Sequence, residues 1–390
     1  MAGGAGPLAP QYNDEMSTDR PTRRRFLQGQ AGSGQWSAPA DEPNAAADDE
    51  SISVAEKRST LPPLAGDRNE LLVSVRRRAM ACEFEVQLAA SRDDDSMEHV
   101  FAALDLVEAL ESQMTVYRHD SEVIRINRLA AQGPVRVEPG LFELFQKAAA
   151  LCRETGGALD LTSGPLSEVW GFSRREGRVP SDADIAAARE RVGIQHVELD
   201  ESRQSIAFRR PDVTVNLNSI GKGYALDRMA EVLAQHGVDD YLLHGGKSSV
   251  LARGDQPGRA GEGWTIGLRH PLRPAERLGE FRLYDQALST SGSGTQFFIR
   301  RGRRYGHILD PRTGRPAEGL YSATVIAPTA AEGDALSTAF YVMGPDEVGD
   351  FCARHPEIGA LLTGPAKREG AVRLFAFGLD PARWQQLSEV

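Results

Sequence analysis

Val213-Thr214-Val215-Asn216-Leu217-Asn218-Ser219-Ile220-Gly221-Lys222-Gly223-Tyr224-Ala225-Leu226-Asp227 reads as a strand that ends in a glycine-rich turn and enters a helix. Apolar residues alternate with polar ones over Val213–Leu217, the period of a half-buried strand. The helix is predicted to run to Gln235 and to be stopped by Gly237. In a doubly wound fold this unit would repeat. Here it does not. From Tyr241 to Ile326 strand patterns dominate. Clustered strands with interspersed helices and no βαβ rhythm predict an α+β fold.

Working outward, Val197-Glu198-Leu199 and Ser205-Ile206-Ala207-Phe208 predict a hairpin, and Asp182 to Val192 a helix. Leu141 to Glu154 predicts another helix, ending before Thr155-Gly156-Gly157. Ser96 to Met114 is amphipathic, with Val100, Leu104, Val107, Leu110 and Met114 at spacings of three and four. Leu71–Val75 and Cys82–Leu88 alternate as strands do. Beyond Ile326, a helix is predicted from Ala330 to Met343, stopped by Gly344. Ile358–Leu362 and Arg373–Phe377 read as final strands.

The chain has 390 residues, 41% hydrophobic and 26% charged, which is a globular composition. Its formal charge of −10 and the lack of a Lys/Arg block argue against a nucleic-acid partner. No apolar run approaches the roughly 20 residues of a membrane span. Cys82, Cys152 and Cys352 are far apart and odd in number, so they suggest buried small hydrophobes rather than disulfides or metal ligands. Residues 1–70 are rich in Ala, Gly, Pro, Ser, Asp and Glu, and are expected to be a disordered extension preceding one domain over 71–390. Arg23-Arg24-Arg25-Phe26-Leu27 has the arginines of a twin-arginine export signal, without the apolar stretch or lipid-accepting Cys that would follow. Localisation, cytoplasmic or exported, stays open on this reading.

Several segments have chemical potential. Gly221-Lys222-Gly223 at a helix start suits a phosphate, through unpaired amides, close backbone approach and a point charge. Read locally, an ordinary helix capped by Asn218 or Ser219 explains it better. Thr329 and Glu332 have capping-box spacing, which puts Asp334 inside an apolar helix with Thr338 on the same face. A carboxylate there needs a partner: a hard divalent cation, the backbone or an arginine. His307 stands in a polar cluster before the turn Asp310-Pro311-Arg312-Thr313-Gly314 and, taken alone, reads as structural. Gly156-Gly157-Ala158-Leu159-Asp160-Leu161-Thr162 with Trp170-Gly171-Phe172 is either a wrap around something flat or a packed loop.

The order and spacing of these segments resemble the ApbE-type FAD:protein FMN transferase family over roughly residues 71–380. Met80, the Met114–Tyr117 segment, Gly157–Thr162, Asn216–Asp227, Gly245-Gly246, Thr290–Gly292, His307–Gly314 and Asp334–Thr338 carry the likeness. The resemblance implies a T-fold-like catalytic unit. It also implies Mg²⁺-dependent cleavage of FAD, with FMN passed to a Thr or Ser of an acceptor protein and AMP released. The usual acceptor sequence is Asp-Gly-Ala-Thr or Asp-Gly-Ser-Thr; this chain carries no obvious copy of it, so the resemblance implies another protein as target, a membrane redox component. Some relatives hydrolyse FAD instead, and a flavin-binding protein without turnover is a third reading. By position, Met80, Tyr117, Ala158, Leu159, Asp160, Asn216, Lys222 and Ile308 would line the FAD site. Asp334, Ser337, Thr338 and the Ser219 carbonyl would hold Mg²⁺, and His307 would be catalytic. Asn216, Asn218-Ser219, Lys247 and Met80-Ala81-Cys82 depart from the family pattern.

Overall fold

The alternation at Leu71–Val75 and Cys82–Leu88 becomes an antiparallel hairpin of β1 (Leu71–Ala79) and β2 (Cys82–Ala90) in the computed structural model. The structure describes residues 71–90, 96–294, 296–368 and 370–387. The reading of residues 1–70, with its arginine motif, lies outside the described residues. The hairpin turn, Met80-Ala81, has φ of 50° and 59°. Positive φ at both central positions is the type I′ geometry that matches strand twist. Ala81 carries a Cβ into a region that disfavours it by about 1–2 kcal/mol. Ala81→Gly is therefore expected to raise stability by about 0.5–1 kcal/mol, after the larger unfolded entropy of glycine is subtracted. The gain should appear as a higher urea midpoint at unchanged slope.

The later elements are α1 (Ser96–Met114), α2 (Glu122–Leu129), β3 (Val135–Arg136), α3 (Pro139–Glu154), α4 (Gly164–Val169), α5 (Asp182–Arg189), β4 (Val197–Asp200) and β5 (Ser205–Phe208). They continue as α6 (Gly221–Gln235), β6 (Tyr241–Gly245), β7 (Ser249–Arg253), β8 (Trp264–Arg269), β9 (Arg277–Leu283), β10 (Ala287–Gly292), β11 (Phe297–Arg300) and β12 (Arg303–Gly306). The chain then forms β13 (Leu309–Asp310), β14 (Arg315–Pro316), β15 (Ser322–Ala327), α7 (Ala330–Arg354), β16 (Gly359–Pro365), β17 (Val372–Phe377) and β18 (Trp384–Gln386).

Eight strands form one antiparallel sheet in the order β1-β2-β6-β7-β10-β15-β16-β17. Helices α1, α6 and α7 bury one face, around Phe84, Leu104, Leu226, Leu251, Val325 and Phe340. The small sheet β18-β9-β8 covers part of the other, through Trp264, Phe281, Leu288 and Ile326. This is the α+β arrangement expected from the sequence. Strand alternation does the sorting: Ala287 belongs to the helix-side core and Leu288 to the other. Ser289 and Ser291 therefore share the helix-facing side, where α7 lies.

Two local expectations change. Among the described residues, Val213–Leu217 is extended but pairs with no strand. Its backbone is held at isolated points instead: Val215 N donates to Asn127 Oδ1 at 2.8 Å, Asn127 Nδ2 donates to the Val215 carbonyl at 2.9 Å, and Asn216 N donates to the Leu161 carbonyl at 2.9 Å. The helix that begins at Ala330 does stop at Gly344, whose φ/ψ of 79°/177° is open essentially to glycine alone, but a second helical segment follows immediately through Pro345 to Arg354. Proline is tolerated in a first helical turn, where its missing N–H would have no partner anyway. α2 and α4 were not anticipated.

Candidate active site

Thr329 is the N-cap of α7, as its spacing to Glu332 predicts: its hydroxyl accepts from Glu332 N and donates to Glu332 Oε2. Asp334 follows one turn later, only 5% exposed. Its Oδ1 accepts from Ser249 Oγ at 2.9 Å, and its Oδ2 from the Gly223 amide at 3.1 Å. Lys222 Nζ lies 3.2 Å from both oxygens. The carboxylate thus sits against the first turn of α6, where the helix dipole and a free amide favour negative charge. Neither Asn218 nor Ser219 caps α6: the N-cap is Ile220, with no side-chain bond.

α6 and α7 are locked together. A Cβ at Gly223 would stand 2.0 Å from the Ala330 carbonyl oxygen, so only glycine allows this approach. Four residues later in α6, the Asp227 carboxylate accepts from Ala330 N at 2.7 Å and Ala331 N at 2.9 Å. Burial pushes the Asp227 carboxyl up to about 6 from its ordinary 3.8, although those two amides oppose the rise. Because the folded value is the higher, the fold binds the proton more tightly. The associated stability is complete below about pH 4 and is lost as pH rises through about 6, on the order of 3 kcal/mol. Asp227→Asn should flatten the pH dependence of the unfolding free energy across that window, measured by urea titration at a series of pH values.

On the other side of Asp334 is a group of hydroxyls. Ser291 Oγ of β10 lies 2.9 Å from Ser337 Oγ and 3.1 Å from Thr338 Oγ1. Both donate back to the Asp334 carbonyl, at 2.9 and 3.3 Å. Among the described residues, no cluster of three or more His, Cys, Asp or Glu side chains forms. The donor set is nonetheless all hard oxygen, with one carboxylate already holding the Lys222 ammonium. That fits Mg²⁺, which takes few protein carboxylates and completes its shell with waters and phosphates. Both carboxylate oxygens are already doubly engaged, so a cation here would take the place of the ammonium.

His307 is half-buried, between β12 and β13. Its Nδ1 lies 3.0 Å from the Gln296 carbonyl oxygen, which also accepts from His307 N at 3.2 Å. A carbonyl only accepts, so the neutral ring carries its proton on Nδ1 and presents the Nε2 lone pair. Burial holds its pKa below the ordinary 6.5, against the opposing Gln296 bond. The histidine and α7 are tied to the same strand end. Ser291 reaches Ser337 and Thr338, while Ser293 accepts from Tyr341 Oη of α7 at 2.9 Å and packs against Gly306.

A buried carboxylate at a helix start and a half-buried histidine are thus both tied to the end of β10. The ApbE family profile matches residues 80–362. The chain belongs to the ApbE family. It is 32% identical over 273 residues to the FAD:protein FMN transferase of Escherichia coli K12, covering 68% of this chain and 76% of that protein. It is 35% identical over 262 residues to one from Klebsiella pneumoniae, covering 66% and 78%. Among solved structures, the Pseudomonas stutzeri flavinyl transferase ApbE in its apo form aligns with TM-score 0.69 at 31% identity, covering 79% of this chain and 95% of that one.

The other positions that the resemblance implies fall into two groups in this ApbE-family chain. Lys222, Ser337 and Thr338 meet at Asp334, with Ser219 half-buried in the turn just before α6. Asn216 is half-buried in the segment leading to that turn, and its Oδ1 accepts from Asn218 N at 3.3 Å. Elsewhere, Ala158, Leu159 and Ile308 bury their side chains in the main core. Asp160 is buried and ties its loop shut: it accepts from Thr162 N, Thr162 Oγ1 and Ile194 N. Burial raises its pKa, against those bonds. Met80 sits half-buried in the β1–β2 turn, and Tyr117 is 74% exposed between α1 and α2. Cys152 and Cys352 are buried, as expected, whereas Cys82 is only half-buried. Lys247 is exposed in the β6–β7 turn. Ser249 and Gln296 were missed by sequence reasoning: a serine on a strand and a glutamine before a hairpin have no local signature.

Proposed function

We propose that this chain transfers FMN from FAD to a threonine or serine hydroxyl of an acceptor protein, releasing AMP. The observation that carries the reading is the Asp334 carboxylate held by Lys222 at the start of α6, in a chain whose His307 commits Nδ1 to the Gln296 carbonyl and leaves Nε2 to accept a proton. His307 Nε2 takes the proton of the acceptor hydroxyl as that oxygen forms a bond to the FMN phosphorus. The bond from this phosphorus to the bridging pyrophosphate oxygen breaks, and AMP departs with the electron pair. Gln296 fixes the ring tautomer. Lys222 and the first turn of α6 are placed to hold phosphate charge. Asp334, Ser337, Thr338 and the Ser219 carbonyl would hold Mg²⁺, which supplies charge neutralisation for the pyrophosphate.

The test mixes the chain with FAD, Mg²⁺ and a peptide containing Asp-Gly-Ala-Thr. The expected result is FMN covalently attached to the peptide threonine, found by mass spectrometry, with one AMP per transfer. FMN and AMP accumulating free, with unlabelled peptide, would instead identify a hydrolase. Intact FAD with every divalent cation tried would overturn both.

A further inference from the structure

The overall charge of −10 conceals a basic surface beside His307. Among the described residues, β11 and β12 pair only with each other, joined by the tight turn Arg301-Gly302 with φ of 51° and 77°. Gln296 and His307 stand at the root of this hairpin. Its far end carries Arg300, Arg301, Arg303 and Arg304, all exposed. Its root is stiffened by Phe298, whose ring lies 5.1 Å from Tyr305 and 5.4 Å from Phe172. The loop after α4 packs on the same ring, because a Cβ at Gly177 would meet Phe298 at 2.7 Å. That loop adds Arg174 and Arg175, also exposed. The hairpin and this loop therefore carry six arginines and one carboxylate, Glu176, while Glu318, from outside them, pairs with Arg303. Among the described residues, Arg174, Arg175, Arg300 and Arg301 have no carboxylate partner.

We propose that this arginine hairpin and its adjoining loop dock an acidic segment of the acceptor protein. The proposal rests on the transfer reaction above. The reacting hydroxyl must come to His307, so the molecule lying over the hairpin during turnover is the one that carries it. Arg304 and Arg303 stand three and four residues of strand from the histidine, about 10–14 Å. With its threonine at the histidine, the three preceding residues of the acceptor motif reach at most about 10 Å, so flanking residues of the acceptor protein are the ones that meet the hairpin tip. Exposed charges of this kind speed encounter and set partner choice, with a strong dependence on salt.

The probes are three fluorescent peptides containing Asp-Gly-Ala-Thr: one bare, one linked through a six-residue Gly/Ser spacer to four glutamates, and one linked likewise to four lysines. Both binding, by anisotropy, and flavin transfer are measured with the full chain. The glutamate tail is expected to tighten binding about tenfold at low salt. That advantage should vanish near 0.5 M salt. In the Arg300→Glu/Arg301→Glu variant the preference should reverse to the lysine tail, while transfer to the bare peptide stays unchanged. Equal binding of all three tails by the wild type would overturn the proposal, whether or not transfer occurs. So would arginine-dependent binding to phosphatidylglycerol vesicles without any tail preference, which would make the hairpin a lipid contact. Absence of transfer to every peptide, with the tail preference intact, would count against the transfer reading and leave the docking surface standing.

Discussion

Replacing His307 by alanine is expected to lower kcat for flavin transfer by about 10²–10⁴-fold, the range for loss of a positioned general base. The fold should survive. The ring is half-buried and makes a single side-chain bond, to a carbonyl that keeps its second donor, His307 N. The change in unfolding free energy should thus stay near 1 kcal/mol. The pH profile separates a base from a spectator. The base works when unprotonated, so the wild-type rate falls as pH drops through the histidine pKa. Burial sets that value below 6.5, so activity at pH 7 is already on the plateau. The alanine variant should lose this acid limb while retaining its small residual rate. A limb of unchanged position in the variant would assign it to another group.

Asp334→Ala is expected to abolish transfer and to destabilise the chain by about 3 kcal/mol, the lower end for breaking a buried ion pair. The lower end applies because Lys222 keeps 25% of its side chain exposed and can reach water. The Gly223 amide and Ser249 hydroxyl are left without their acceptor, each an added penalty. A paired variant, Asp334→Leu with Lys222→Met, removes both charges and should recover much of the stability. It should recover none of the activity, and calorimetry should then detect no Mg²⁺ binding. Recovered activity would show that the carboxylate only holds the helices together.

The parts of the fold legible in the sequence are those fixed by local periodicity. Ser96–Met114 forms the helix its apolar spacing predicts, and Thr329 caps α7 as its distance from Glu332 requires. Val213–Leu217 carries a strand pattern yet forms none, because Asn127 takes the Val215 backbone groups and the Leu161 carbonyl takes the Asn216 amide, both far away in the chain. The same limit applies to the site. That Asp334 needed a partner was readable from its apolar surroundings. That the partners are Lys222, Gly223 and Ser249 was not, since only the packing of α6 and β7 against α7 brings them together. His307 read as structural on local grounds, and only the Gln296 contact shows which nitrogen is free.

The two glycines that flank Lys222 look interchangeable on paper, and they set opposite limits on redesign. At Gly221 an added methyl would touch only Met114 and Leu217, at 3.8–3.9 Å, which is ordinary contact. That position should accept alanine without displacing a neighbour. At Gly223 the methyl would land inside a neighbouring peptide group. Its lack of a side chain serves the joint between α6 and α7, so any redesign of this region must leave it untouched.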